Sequence, residues 1–399
     1  MTTTSLCDVH EGTAELHSTG VGELDRVLGG GFIAGSTTLL FGEPGVGKST
    51  LALMALRALA LGATPVLLIA VEESLAQVAQ RARRLGEVPR GLEVAATTSV
   101  AAAEQLIRER RPTLCVVDSV SAMSDESISS APGSISQVRM VADRLCSVAK
   151  ATGSALLIVG HVTKDGELAG PRALEHLVDT VVRIEGDRHG SLRLVRALKH
   201  RFGPTGEVGL LEMVPDGLRE LPDVGVLRAP QLHVPGVVLT VTNDGSRSFL
   251  VEIQALVATG LGAPRRVAHQ VSSQRLALML AVLESRCAVD TSGVDVFAAT
   301  AGGIVANEPG VDVALALAVA SAAMNFVVPG TLCVMGEVGL AGELRAITGL
   351  TRRVREAKRL GATEVIVPTE GELDDVPEVR VRRCRSLLEV VRTAHTGTN

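Results

Sequence analysis

At 399 residues, with 46% hydrophobic and 21% charged content, the chain is long enough for two folded domains with substantial cores. A formal net charge of -5 excludes a broadly basic nucleic-acid-binding surface, so any DNA contact has to be local. Cysteines scattered without a CxxC pair and the lack of a charged-then-apolar leader predict a reducing cytoplasm, and no apolar run reaches the roughly 18 to 20 residues of a membrane span.

Residues 1–18 are polar and unpatterned, and Gly22 to Leu28 then reads as a short helix ended by Gly29, Gly30 and Gly31. From Thr37 onward, short apolar runs at 37–41, 65–71, 113–118 and 154–160 alternate with amphipathic segments at 48–62, 74–85 and 135–152. That alternation predicts a parallel-rich sheet wrapped by helices. Further strands are expected at 181–185, 192–199 and 209–213, followed by a loop over Pro215 to Pro230 rich in Pro, Gly and Asp. The expected organisation is a polar segment 1–18, a first α/β domain 19–222, a linker 223–236 and a second α/β domain 237–399. In the second half, Val237 to Ile253 and Val294 to Ala299 read as strands. Gln274 to Arg286, Val311 to Met324 and Leu350 to Leu360 read as helices, before an apolar run at 365–368.

Gly42, Glu43, Pro44, Gly45, Val46, Gly47, Lys48, Ser49 and Thr50 fit the phosphate-loop pattern G-x-x-x-x-G-K-[ST] between a predicted strand and a predicted helix. The glycines let successive N–H groups turn inward around phosphates, and the helix N-terminus adds a favourable dipole. Lys48 is expected to reach the β- and γ-phosphates, with the Ser49 hydroxyl on Mg²⁺. The run Leu114 to Asp118 is a buried strand ending in a carboxylate, the form taken by a second Mg²⁺-organising group. Glu72 and Glu73 end another apolar strand, and one of them is expected to orient the attacking water. Glu72 is the favoured candidate, the other carboxylate being a charge that suits a helix N-terminus.

With these motifs, the stretches Gly160-His161-Val162-Thr163-Lys164-Asp165-Gly166, Ala169-Gly170-Pro171-Arg172 and Lys199-His200-Arg201-Phe202-Gly203 resemble the RadA/Sms family of bacterial DNA-repair ATPases. The likeness covers roughly residues 19–370. The family hallmark is Lys-Asn-Arg-Phe-Gly, and this chain carries His200 at the second position. The resemblance implies a RecA-like P-loop ATPase domain followed by a Lon-protease-like α/β domain. It also implies an ATP- and Mg²⁺-dependent cytoplasmic homohexamer that binds single-stranded DNA and branch-migrates recombination intermediates alongside a RecA-type recombinase. Within it, Lys199 and Arg201 would reach a neighbour's γ-phosphate, and His161 would take a phosphate-sensing position, with a buried core histidine as the alternative. Lys164 and Arg172, on the loop 162–173, would meet the DNA backbone, and the polar loop 124–136 would share that channel. An ATP-switched regulatory scaffold with slow hydrolysis fits the same motifs, and DNA acceleration of turnover separates the two.

Two departures from the family pattern stand out. Its usual zinc module has four cysteines, whereas this N-terminus offers only Cys7 and His10, so no intrinsic zinc is expected. The Lon-like likeness rests on segments that include Glu308-Pro309, Gly336 to Leu340 and Gly349-Leu350. Where the Ser–Lys dyad belongs, however, the chain reads Pro309-Gly310-Val311-Asp312 and Gly349-Leu350-Thr351. Peptidase activity is therefore not expected, and Arg265, Arg266, Arg345, Arg352, Arg353 and Arg355 are left as candidate DNA contacts.

Overall fold

The computed structural model describes residues 15–161, 174–186, 190–221, 234–260, 262–301 and 304–396. The chain divides into two compact units, Met1–Pro222 and Asp223–Asn399.

The first unit runs β1 (Leu16–His17), α1 (Gly22–Val27), β2 (Phe32–Ile33), β3 (Thr37–Gly42), α2 (Lys48–Leu61), β4 (Val66–Ala70), α3 (Leu75–Arg84), β5 (Leu92–Ala96), α4 (Val100–Arg110), β6 (Leu114–Asp118), α5 (Ile135–Thr152) and β7 (Ala155–His161). It continues through β8 (Thr180–Gly186), β9 (Leu192–His200), β10 (Val208–Val214) and β11 (Gly217–Glu220). One nine-stranded sheet forms in the order β11-β10-β9-β8-β3-β7-β6-β4-β5. The six strands from β8 to β5 are parallel, and β8 to β11 form an antiparallel extension. The central strands are buried on both faces, which is why β4, Leu39 to Phe41 of β3 and Leu114 to Val117 of β6 read as apolar runs. Leu51 and Leu56 of α2 cover one face, and Val141 and Leu145 of α5 the other.

Two stretches differ from the sequence expectation. The loop expected from Pro215 instead begins with a tight turn, after which β11 pairs back on β10. Gly217, at φ 133°, makes that turn, and a Cβ on it would lie 2.5 Å from Leu85 Cδ2. The unassigned stretch between α3 and β6 supplies β5 and α4. As an edge strand β5 is only partly buried, so it lacks the apolar run that marks the central strands.

The second unit comprises β12 (Val237–Asp244), β13 (Arg247–Thr259), β14 (Arg266–His269), α6 (Ser273–Cys287), β15 (Val294–Thr300), α7 (Asp312–Met324), β16 (Leu332–Val334), β17 (Glu337–Val338), β18 (Leu344–Arg345), α8 (Leu350–Arg359), β19 (Glu364–Pro368), β20 (Arg380–Cys384) and α9 (Leu387–Thr396). Its main sheet has the order β14-β15-β13-β12-β16-β19-β20. The run expected as one strand from Val237 to Ile253 is a hairpin, because Gly245 at φ 58° turns the chain between β12 and β13. Helix α7 is buried at every position from Asp312 to Ser321, as its uninterrupted apolar run from Val313 to Ala320 demands. Among the described residues no helix is long and apolar enough to cross a membrane.

Candidate active site

The phosphate loop leaves β3 at Gly42 and enters α2 at Lys48. Gly45 and Gly47 sit at φ 79° and 112°, a backbone that leaves room for N–H groups to turn toward one centre. Lys48 is buried, and its Nζ donates to the carbonyls of Gly42 and Glu43, both at 2.9 Å. Burial lowers the Lys48 ammonium from its usual range, and the nearby charges of Asp118 and Glu72 oppose that shift.

Parallel pairing brings the other candidates to the same sheet edge. Asp118 closes β6, and its carbonyl accepts from Val71 N–H at 2.9 Å, immediately before Glu72. His161 closes β7 beside Gly42 in the strand register. Ser49 and Asp118 line one small cavity together with Glu73 and Arg81. A hydroxyl and a carboxylate are hard oxygen donors suited to Mg²⁺, so the residues present fit that ion beside a bound phosphate. The two glutamates separate by partner: Glu73 is ion-paired with Arg81, whereas Glu72 accepts from the hydroxyl of Ser119. Ser119 is a residue that sequence reading missed, and its hydroxyl is also 2.7 Å from that of Ser121. Beside the loop lies a cavity of about 410 Å³ bounded by Lys48, Thr50, Arg84, Met213 and Pro215. That volume suits the remainder of a nucleotide.

Lys199 and Arg201 are not part of this cluster. Because β9 is antiparallel to β8, they lie at the edge where β3 and β8 begin, opposite the phosphate loop. Lys199 Nζ donates to the carbonyls of Glu175 at 2.6 Å and Val178 at 2.7 Å, while Arg201 Nη1 bonds Asp179 at 2.9 Å with its side chain still 52% exposed. In the loop 124–134, the Gln137 side chain accepts from Asp125 N–H at 2.9 Å and donates to the carbonyls of Asp125 and Ser130 at 3.2 and 2.9 Å. Lys164 and Arg172, like Cys7 and His10, lie outside the described residues.

In the second unit the expected dyad positions hold other chemistry. Arg353 of α8 is fully buried; it donates to both carboxylate oxygens of Glu308 at 2.6 Å and to the carbonyl of Val241 at 2.7 Å. A Cβ on Gly310 would lie 2.9 Å from Arg353 Nη1, so the guanidinium occupies the space a serine there would need. Burial pushes the Glu308 carboxyl up, but Arg353, the Asn243 N–H and the Thr242 hydroxyl outweigh it and hold it below the usual range. Thr351 accepts from Asp374 N–H at 3.0 Å, and Ser321 accepts from Gly236 N–H at 2.8 Å. Arg353 is thus withdrawn from the set of candidate DNA contacts, because its charge is spent inside the fold. The five others are locally engaged as well: Arg265 with Asp295, Arg266 with the Thr291 and Val294 carbonyls, Arg345 with Glu343, Arg352 with the Ser246 carbonyl and Arg355 with Asp374.

Residues 22–167 match the family model described as AAA domain, and residues 283–396 match that of the Lon protease (S16) C-terminal proteolytic domain. The chain is 44% identical over 369 residues to the DNA repair protein RadA of Mycolicibacterium smegmatis, covering 91% of this chain and 79% of the relative. It is 45% identical to the DNA repair protein RadA of Pseudomonas aeruginosa, with coverages of 90% and 80%. For the DNA repair protein RadA of Bacillus subtilis the identity is 42%, with coverages of 95% and 84%.

Proposed function

The chain belongs to the RadA family of DNA repair proteins, and from that premise we propose that it is a DNA-stimulated ATPase. It binds single-stranded DNA and drives branch migration of recombination intermediates as a homohexameric ring. The observation that carries this reading is the division of cations between two sheet edges. The edge with Gly42, Lys48, Ser49, Asp118 and Glu72 has what phosphoryl transfer needs for binding, metal and water orientation. The opposite edge holds Arg201, half-exposed and unable to serve its own phosphate loop. A ring resolves the division, since it lets one subunit's Arg201 face the next subunit's γ-phosphate and ties hydrolysis to subunit motion.

ATP and Mg²⁺ are then the cofactors, with Ser49 and Asp118 toward the metal and Glu72 toward the attacking water. Bound Mg²⁺ neutralises charge on the phosphate oxygens, while this chain's residues orient the nucleophile and hold the loop. Lys164, Arg172 and the loop 124–136 are the proposed DNA contacts. With a net charge of -5 they act by repetition around the ring, contacting the backbone without reading sequence. The test is ATP turnover with and without single-stranded DNA, alongside branch migration by the same preparation. Clear stimulation together with branch migration supports the motor. Turnover indifferent to DNA, with nucleotide-dependent partner binding, supports a switched scaffold instead.

A further inference from the structure

We infer that Arg193 is a positioning residue of the phosphate loop, aiming the Gly47 N–H at the β-phosphate by holding the Val46 carbonyl from behind. The inference rests on the ATP-site reading and extends it to a side chain far from the motif.

Arg193 stands near the start of β9 and is 7% exposed. Its Nε donates to the Val46 carbonyl at 3.1 Å, and its Nη1 donates to the carbonyls of Gly190 and Leu192 at 2.7 and 2.8 Å. The neighbouring strand makes room for this reach. Gly186 of β8 is paired with Arg193, and a Cβ there would lie 2.4 Å from Arg193 Cδ. A glycine within a strand marks a close approach, and here the approaching group is the arginine stem crossing toward the loop.

The carbonyl and the N–H of one trans peptide point in opposite directions across a rigid plane. Fixing Val46 O therefore fixes the direction of Gly47 N–H. This peptide needs fixing, because on one side it is hinged on Gly47 at φ 112°, with Gly45 at φ 79° one residue before Val46, and rotation about a glycine meets little steric resistance. A guanidinium donor also makes a charge-assisted bond that polarises the peptide and strengthens its N–H as a donor. The β-phosphate is present in ADP, in ATP and throughout transfer. Arg193 thus contributes equally to ground and transition states, which is the signature of affinity without rate.

The experiment uses the full chain with Arg193→Gln and Arg193→Lys. It measures ADP and ATP dissociation constants, kcat and KM, the ³¹P shift of bound ADP, and the thermal midpoint. Arg193→Gln should weaken ADP and ATP alike by about tenfold and raise KM with kcat nearly unchanged, as expected for loss of a charged hydrogen bond. The β-phosphorus resonance should move. Arg193→Lys should recover part of the affinity, and it carries the test if the glutamine variant does not fold. Folded variants with wild-type ADP affinity and an unmoved β-phosphorus signal overturn the inference, as does a loss confined to the thermal midpoint. If the wild-type chain itself binds neither ADP nor ATP, the underlying ATP-site reading falls first.

Discussion

Lys48 and Glu72 carry the most direct consequences for chemistry. If Lys48 neutralises the β- and γ-phosphates as its place in the loop implies, Lys48→Ala should drop ATP turnover to background in a steady-state phosphate-release assay. The two adjacent glutamates allow a sharper comparison. Glu72 accepts from Ser119, whereas Glu73 is committed to Arg81. Glu72→Gln should therefore lower kcat by roughly 10²- to 10⁴-fold with ATP affinity retained, the usual size of a lost general base. Glu73→Gln should cost far less rate, and equal losses in both variants would show that the assignment between them is wrong. The phosphate loop was legible in sequence because its spacing is dictated by backbone geometry within nine consecutive positions. Ser119 and Arg193 were not, since each matters through a partner that only the fold brings near, 47 positions away for Glu72 and 147 for Val46.

Helix α8 shows how periodicity and residue type can give opposite readings. Leu350, Arg353, Val354 and Ala357 are its buried positions, the i, i+3, i+4, i+7 stripe of a core-facing helix. In the sequence Arg353 looks like one of a cationic series, but its place on that stripe commits it to Glu308. Removing one partner leaves the other charge buried, so Arg353→Ala should destabilise the second unit by about 3–5 kcal/mol in denaturant unfolding. The double replacement Glu308→Gln with Arg353→Met should recover part of that loss. The depressed native pKa of Glu308 sets the pH dependence. Its contribution is complete above the unfolded glutamate value of about 4.3 and is lost as pH falls through the lower native value. Glu308→Gln should flatten that acid limb. Gly310→Ser, placed against Arg353 Nη1, should lower stability without yielding peptide cleavage. The alternation of strands and helices was readable because buried parallel strands are apolar on both faces. The edge strand β5 was not, since it sustains no apolar run, whereas the β12–β13 turn was missed although Asn243-Asp244-Gly245-Ser246 breaks the apolar run with turn-forming residues.

At the scale of the whole molecule, the separation of Arg201 from its own phosphate loop is the feature that most constrains mechanism. Arg201 is held by Asp179 at 2.9 Å yet stays half-exposed, whereas Lys199 already uses its ammonium on two backbone carbonyls. Arg201 is therefore the stronger candidate to act on a neighbour, with Lys199 bracing the strand end that presents it. If it acts in trans, Arg201→Ala should retain nucleotide affinity and lose kcat, because a residue engaging mainly the transition state affects rate more than binding. That pattern is the reverse of the one expected for Arg193, although both arginines stand at the two ends of one strand. A mixing measurement isolates the trans component. Lys48→Ala subunits lack a working phosphate loop but offer Arg201, and Arg201→Ala subunits offer an intact loop, so mixed rings contain some sites with both parts. Turnover should rise above that of either variant alone, in proportion to the composite sites formed. If mixed rings demonstrably assemble and turnover does not rise, while Arg201→Ala alone loses ATP affinity, then Arg201 serves its own subunit and the ring mechanism fails.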